Sequence, residues 1–503
     1  MKHIHYIYTL FFGVSALLFF GLAYPHHLHY QEQYQLFLFD SSYIWDVIAL
    51  PGGVADLLGR FSTQFFLYAW VGATIIAILL SVIQLLTLGL ANWGRFYGLS
   101  YVPALLLWIF LLDENALLGG VWAVVLTLSA SLAIDKMADG WTRRILTAML
   151  IPLLFWIAGP VSIVFCILQI RRANHFIWNI ATMLLFVLMP LVLAHCLPVL
   201  DGSLWRGIHY YRYPTVTPTM LWMAVLALVI LLGVQGVKGV KDECICRYKS
   251  HTPNDILLTF ASFAVVAVVM AVMVWKNSNF KAEKTMKYDF MACHQQWNRI
   301  LNTIDEEKPN NQIGVTVQNL ALAKQGTLLN KMFEYNQNGM LGLLPDVQRD
   351  ATSPMPTAEA YYHLGLTNIA QRTVFEAQEA ILDFQKSARC FKRLAQTNLI
   401  NGDYEVARKY LMILKKTLFY SDWANETITL LGNEKAIANH PEYGTLRTFA
   451  IKNDFLFSDN ATPEILERLY LSNKKNKLAY QYMMASFILT GDRESFYKYA
   501  QNK

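Results

Sequence analysis

The sequence is short of charge. Asp, Glu, Lys and Arg make up only 16% of its 503 residues, against roughly 25% in an ordinary soluble domain. Hydrophobic residues make up 55%. That balance excludes a disordered or collagenous chain and argues against a wholly soluble one. Cysteine is scarce too, at six residues, too few to frame a chain of this length with disulfides. Cys166 and Cys196 lie in apolar runs and read as packing residues. Cys244-Ile245-Cys246 lacks a second ligand pair, which favours free thiols over zinc. Cys293 and Cys390 can pair only outside the cytoplasm and only if their Cα atoms approach. The net charge of +6 makes no basic stripe of the kind nucleic acid requires. Walker loop, Rossmann glycine fingerprint, GxSxG and HExxH are all missing, so soluble nucleotide chemistry has no support.

The charges that are present are unevenly placed. Residues 1–275 hold 14 of the 42 Lys and Arg and 12 of the 36 Asp and Glu. Residues 1–275 therefore read as a transmembrane domain and 276–503 as a soluble one. The apolar run 6–24 follows Lys2 and exceeds the core of a signal peptide, so it reads as an uncleaved first span, although Gly21-Leu22-Ala23 offers a small-x-small site. Further charge-free stretches are 61–94, 96–112, 115–134, 145–170, 173–200, 213–237 and 256–275. Lipid demands that they be helices.

The stretch 145–170 decides the topology. It is either one kinked span or a hairpin turning at Gly159-Pro160. With the hairpin, 11 Lys and Arg fall on the cytoplasmic side and only Arg60, Arg206 and Arg212 fall outside. With a single span, the split becomes even. The positive-inside bias selects the hairpin. The fold class is then all-α: a polytopic membrane domain of about nine segments with one short hairpin, followed by an α-helical repeat domain. The N-terminus is cytoplasmic and the C-terminal domain periplasmic, in a bacterial inner membrane. The external loops are 25–64, Asp113-Glu114, Gly159-Pro160 and 198–217.

Past Trp275, three segments share a spacing: Tyr361, Leu364, Gly365, Asn368, Ala377; then Phe391, Leu394, Ala395, Asn398, Ala407; then Tyr480, Met483, Met484, Phe487, Phe496. Gly402-Asp403 and Gly491-Asp492 stand where two helices would turn. Glycine can end the first helix in a left-handed conformation, and aspartate can cap the next. This pattern resembles the tetratricopeptide repeat, which implies a groove for a protein partner. The alternative is an irregular helical domain without a groove.

Candidate chemistry lies in the external loops. Glu32 follows the first span closely, with His26, His27 and His29 beside it. A carboxylate at the mouth of a membrane cavity loses solvation, which raises its pKa and suits it to general-base work. His27 or His29 with Glu32 offers a weak site for a divalent metal ion, either magnesium-like or zinc-like. Otherwise these are polar residues snorkelling at the headgroups. Asp40, Asp46 and Asp56 belong to a loop of interfacial helices and are expected to face water, with one of them able to supply a second acid. Asp113 and Glu114 must emerge at the outer surface, as a second acidic site or as a plain polar turn. Arg206 and Arg212, with His209, Tyr210, Tyr211 and Tyr213, form the best phosphate clamp, because a guanidinium binds phosphate bidentately. Headgroup anchoring is the other reading of that loop. Arg60 beside Gln64 is a lesser candidate for substrate binding.

Two further resemblances bear on identity. Asn319-Leu320-Ala321-Leu322-Ala323-Lys324, Tyr361-Tyr362-His363-Leu364-Gly365, Gln396-Thr397-Asn398-Leu399-Ile400-Asn401-Gly402 and Tyr30-Gln31-Glu32-Gln33-Tyr34-Gln35-Leu36-Phe37 are similar to an uncharacterised family of Bacteroidota multi-spanning membrane proteins. That likeness covers nearly the whole chain and implies layout, not activity. The first loop, through Leu50-Pro51-Gly52-Gly53-Val54-Ala55-Asp56-Leu57-Leu58-Gly59 and Gln64-Phe65-Phe66, resembles that of GT-C-type membrane glycosyltransferases over about the first 120 residues. It implies transfer of a sugar from a polyprenyl-phosphate carrier on the outer face, with Glu32 as base or metal ligand and Asp113-Glu114 as a second acidic site. The chain departs from that family in having no DxD and in having Glu where Asp is usual. The expectations are a GT-C-like glycosyltransferase, a non-catalytic envelope scaffold, or a transporter of a lipid-linked glycan.

Overall fold

The computed structural model describes residues 4–91, 97–138, 140–172, 176–199, 202–234, 253–346, 353–381, 385–451 and 462–501. Cys244, Cys246 and the lysines and arginine around them lie outside the described residues. Among those described, the secondary structure is helical, with one isolated bridge between Ala116 and Tyr211. Two compact units share the chain. The first is Met1–Glu32 with Asp40–Phe280, and the second is Gln33–Phe39 with Lys281–Lys503.

The first unit is a bundle of apolar helices: α1 (Ile4–Leu18, continued by a π turn Phe19–Ala23), α2 (Pro25–Glu32), α3 (Ser41–Ile48), α4 (Gly53–Thr63), α5 (Ala69–Ala91), α6 (Val102–Phe110), α7 (Leu118–Asp135), α8 (Trp141–Ala158), α9 (Ile163–Arg172), α10 (Phe176–Cys196), the single turn α11 (Ser203–Arg206), α12 (Thr219–Val234) and α13 (Pro253–Asn277). Six stretches are long and apolar enough to cross a membrane: His5–Ala23, Ala69–Ala91, Leu118–Asp135, Trp141–Ile170, Ile177–Cys196 and Phe260–Asn277. Their outward faces are apolar as well, with Ile78, Leu184, Leu188, Val192, Val265 and Val268 exposed. Helices apolar all round suit lipid rather than water. Polar side chains stitch the interior. Thr9 donates to Gln84 Oε1 (2.8 Å), and Gln84 donates to Ser100 (2.9 Å). In a bilayer such interhelical bonds act as glue.

The stretch 145–170 is a hairpin. Twenty-six residues of straight helix would separate Arg143 from Gln169 by about 39 Å, yet Arg143 Nη2 donates to Gln169 Oε1 at 3.1 Å. The chain reverses at Gly159, whose φ is +73°. Only glycine suits this turn, because a Cβ there would stand 2.8 Å from the Tyr210 hydroxyl.

The second unit is built of helical hairpins: α14 (Phe280–Cys293), α15 (Trp297–Glu307), α16 (Gln312–Lys324), α17 (Leu328–Lys331), α18 (Pro354–Leu364), α19 (Thr367–Glu379), α20 (Ala388–Asn401), α21 (Tyr404–Leu414), α22 (Ser421–Ile428), α23 (Glu434–Asn439), α24 (Tyr443–Phe449), α25 (Thr462–Ser472), α26 (Lys477–Thr490) and α27 (Arg493–Ala500). Gly402 (φ +91°) and Gly491 (φ +74°) end α20 and α26 where the spacing expects a turn. Asp492 caps α27 by accepting from Ser495 N at 3.0 Å. Asp403 makes no such side-chain bond, so half of that expected junction is absent. The first expected copy is out of register. Gly365, assigned to the middle of a helix, is left-handed at φ +96° and terminates α18. A small residue there stops the helix and also lets Phe449 approach, since a Cβ would stand 2.8 Å from Phe449 Cβ.

The first loop also departs from expectation. Between α2 and α3 it leaves the apolar bundle, and Gln33–Phe39 packs in the second unit. Leu36 N donates to Lys386 O (3.0 Å), Phe39 N donates to Lys416 O (2.7 Å), and the Leu36 side chain joins the core around Met355, Ala358 and Leu394. Cys293 and Cys390 are both free thiols, and Cys390 Sγ lies 3.4 Å from Met355 Sδ.

Candidate functional site

The loops that sequence reading places outside meet within the first unit. Gln31 on α2 donates to the carbonyls of Asp113 (3.3 Å) and Ala116 (3.2 Å). Arg212 Nη1 donates to the Tyr30 hydroxyl at 3.2 Å, and Arg212 N donates to Asn115 O at 2.9 Å. Leu117 N donates to Tyr210 O. The first loop, the Asp113-Glu114 turn and residues 209–213 thus form one polar cap on the apolar bundle. Glycine permits the approach of α4 to α7. A Cβ on Gly59 would stand 2.5 Å from Gly119 N, and one on Gly119 would stand 2.9 Å from His209 O.

Within this cap the acids differ. Glu32 is buried, 6% exposed. Asp113 is half-buried and bonded through both oxygens: Oδ1 accepts from Asn115 N within its own turn (2.9 Å) and Oδ2 accepts from the Tyr211 hydroxyl of the late loop (2.9 Å). Glu114 is half-buried. Burial raises its pKa, Asp113 adds to the rise, and Arg212 opposes it. Glu114 is the cap's acid whose carboxyl burial pushes above the usual carboxylate range, in the field of Arg212.

Asp56 was expected to face water, and the structure buries it completely. Its Oδ2 accepts from Arg60 Nε at 2.8 Å and lies 3.5 Å from His209 Nδ1. Burial opposes the charge on Arg60, and Asp56 and then Tyr43 outweigh it, so Arg60 stays cationic. The i,i+4 spacing of Asp56 and Arg60 on a helix was the available signal. Asp46 is exposed and Asp40 half-buried.

The chain belongs to DUF6057. The model of that family, described as a family of unknown function, matches residues 2–503. No curated protein and no solved structure matches the chain.

His27 is buried, with its ring 4.7 Å from that of Tyr24 and Nε2 3.5 Å from Gln31 Nε2. Desolvation lowers its pKa to about 4, against weaker opposing contributions from Asp113 and Leu111. His29 faces His26, ring to ring at 5.7 Å. Among the described residues no three His, Cys, Asp or Glu side chains are grouped to hold a metal ion. Gln64 is buried and donates to Phe61 O within its own turn. Tyr210, expected on the substrate, is buried: its hydroxyl donates to Ala158 O and accepts from Val161 N, holding the hairpin turn. The expected arginine pair is divided. Arg212 is buried in the cap, whereas Arg206 is half-buried and donates to Thr215 O (2.7 Å) and Gly202 O (3.3 Å).

Sequence reading missed a second charged cluster, in the second unit. Glu359, 1% exposed, receives Arg393 (2.6 Å) and Arg389 (3.2 Å), and Arg389 also grips Asp289. Burial would raise the pKa of Glu359, but Arg393 and Arg389 outweigh it and hold it at about 2. The signal was the i,i+4 spacing of Arg389 and Arg393.

Proposed function

We propose that this chain is a multi-pass membrane protein of a bacterial inner membrane, with a GT-C-like catalytic cap on the periplasmic side and a tetratricopeptide-like domain in the periplasm. The reaction is transfer of a sugar from a polyprenyl-phosphate carrier. The observation that carries the reading is the convergence on Arg212, which bonds Tyr30 of the first loop and the Asn115 carbonyl and sits in the field of Glu114. A buried guanidinium suits the carrier phosphate, which departs with the negative charge released when the sugar–phosphate bond breaks. A carboxylate whose pKa is raised by burial suits removal of the proton from an acceptor hydroxyl. Glu114 is the candidate for such a base, Glu32 is a second candidate as a carboxylate buried in the same cap, and Asp113 is a positioning residue that fixes the turn. Arg60 and His209 support the cap through Asp56.

The test is complementation of a deletion strain. Glu114→Gln and Glu32→Gln should each leave expression intact, and loss of the true base should lower glycan transfer by ~10²–10⁴. Wild-type glycan profiles from both variants at normal expression would remove the enzyme reading. The successive helical hairpins at Gly402 and Gly491 favour a second reading, a scaffold that docks envelope proteins. It predicts that both cap variants are silent and that surface substitutions on α20 and α26 are not.

A further inference from the structure

The second unit holds an extended stretch of the first loop in the way a ligand is held. Gln33–Phe39 belongs to that unit, although Glu32 before it and Asp40 after it belong to the first. From Gln35 to Phe39 the segment has no regular structure of its own, so its backbone donors must find partners elsewhere. Two of them do so at one end of the α20–α21 hairpin, the end away from Gly402. Leu36 N donates to Lys386 O (3.0 Å), in the lead-in to α20, and Phe39 N donates to Lys416 O (2.7 Å), just past α21. Side chains add to this grip. Leu36, 7% exposed, joins an apolar cluster whose other buried members lie on α18, α19, α20, α21 and α22. Gln33 Oε1 accepts from Arg389 Nη1 at 3.3 Å, and the buried Arg389 is fixed in turn by Asp289 Oδ1 (2.8 Å) and Glu359 Oε1 (3.2 Å). Gln35 is buried as well, yet its Nε2 donor has no hydrogen-bond partner among the described residues. An unmet buried donor weakens the seated state relative to one exposed to water.

We propose that this end of the second unit is a recognition site for an extended peptide, and that Gln33–Phe39 is its resident ligand, seated in cis and displaceable. The contacts define what the site reads. Arg389 takes an amide side chain at the first position, and the apolar cluster takes a leucine at the fourth. The fourth and seventh positions must not be proline, because their N–H groups are needed as donors. The seventh side chain is not read, since Phe39 is 52% exposed. Two observations separate a ligand from an ordinary piece of core. The helices supply the rest of the buried cluster that Leu36 enters, and the unmet Gln35 donor opposes permanent burial. Because the segment is covalently held at both ends, its effective concentration at the site is of the order of millimolar. A free peptide with equal contacts therefore does not displace it, and a variant that ejects the segment opens the site. The inference stands on the packing of the second unit and not on the reaction proposed above.

The experiment uses the full chain in nanodiscs and a fluorescein-labelled peptide copying residues 33–40. Binding is read by fluorescence anisotropy against a scrambled peptide of the same composition, which corrects for partition into lipid. Hydrogen exchange across α20 and α21 checks that the helices stay folded. Leu36→Asp should bind the peptide roughly 10²-fold tighter than wild type does, because the tethered copy no longer competes. A second variant, with 34–38 replaced by a glycine–serine stretch of equal length, should do the same without placing a charge in the site. Within the peptide, Leu36→Asp should abolish binding and Gln33→Ala should weaken it several-fold, with the protein itself unchanged. Equal binding by wild type and both variants, or no binding by variants whose α20 and α21 stay protected, overturns the proposal. Loss of protection that added peptide restores supports it, and loss that the peptide does not restore makes the segment part of the core and overturns it. Neither readout depends on Glu114 or Glu32 turnover, so this inference and the proposed reaction fail separately.

Discussion

At the scale of single residues, the buried pairs are where chemistry and stability are tied. Asp56 neutralises Arg60 inside the first unit, and both side chains are almost wholly withdrawn from solvent. Asp56→Asn strands a buried cation, which costs roughly 3–5 kcal/mol. Replacing both partners, as Asp56→Leu with Arg60→Met, should recover much of that loss. Thermal unfolding of the detergent-solubilised chain measures both, and an unchanged midpoint for Asp56→Asn would remove the pair from the core. His27 gives a pH signature. Its folded pKa of about 4 lies below the ordinary 6.5 because burial disfavours the cation. Below that ordinary value the unfolded chain takes up a proton that the folded imidazole refuses. Stability therefore falls between about pH 6.5 and pH 4, by roughly 3 kcal/mol in all. His27→Asn should flatten this part of the stability–pH curve, and a curve of unchanged slope would contradict the burial of the ring.

At the scale of elements, glycine decides how closely helices approach and where they stop. Gly59 lets α4 meet α7 at backbone distance. Gly59→Val should push the two helices apart and draw Asp56 away from His209, so both stability and cap function are expected to drop together. A variant with wild-type unfolding and wild-type complementation would show that the approach is dispensable. In the second unit, Gly402 and Asp403 part company. Gly402→Val must hold a β-branched residue at φ +91°, at a cost of about 1–3 kcal/mol. Asp403→Ala removes no capping bond and should stay within about 0.5 kcal/mol of wild type. Hydrogen exchange across α20 and α21 in the full chain reads both, and the opposite ranking would argue for a cap at Asp403.

At the scale of the whole molecule, the hairpin at Gly159 sets the parity of every later segment. With it, the expected split of 11 Lys and Arg against 3 predicts Lys503 outside the cytoplasm. Alkaline phosphatase fused after Lys503 should be active, and a fluorescent protein fused there should be dark. The reverse pattern would move the second unit to the cytoplasm and separate the cap from any periplasmic substrate. The chain also passes between the units at 32/33, 39/40 and 280/281. Glu32 is therefore the covalent neighbour of a segment held by Lys386 and Lys416 in the second unit.

The apolar runs, their lengths and the place where charge returns were legible in the sequence, because long apolar helices are dictated by local composition. Charge counting selected a reversal at Gly159-Pro160, and the packed chain does turn there. The meeting of Gln31, Asp113, Asn115 and Arg212 was not legible, because residues about a hundred positions apart share no local pattern. Nor was the fate of each polar residue. Asp56 and Asp46 look alike in the sequence, yet one neutralises a buried arginine and the other faces out. Tyr210 reads like a sugar-stacking ring until the backbone of the hairpin turn claims its hydroxyl. Gly365 and Gly402 are both plausible in a repeat, and only the packed structure decides that Gly365 stops its helix between Leu364 and Asn368 of the expected first copy. Burial and partnership are properties of the assembled chain, and they determine which loop residues hold the fold together and which remain available for chemistry.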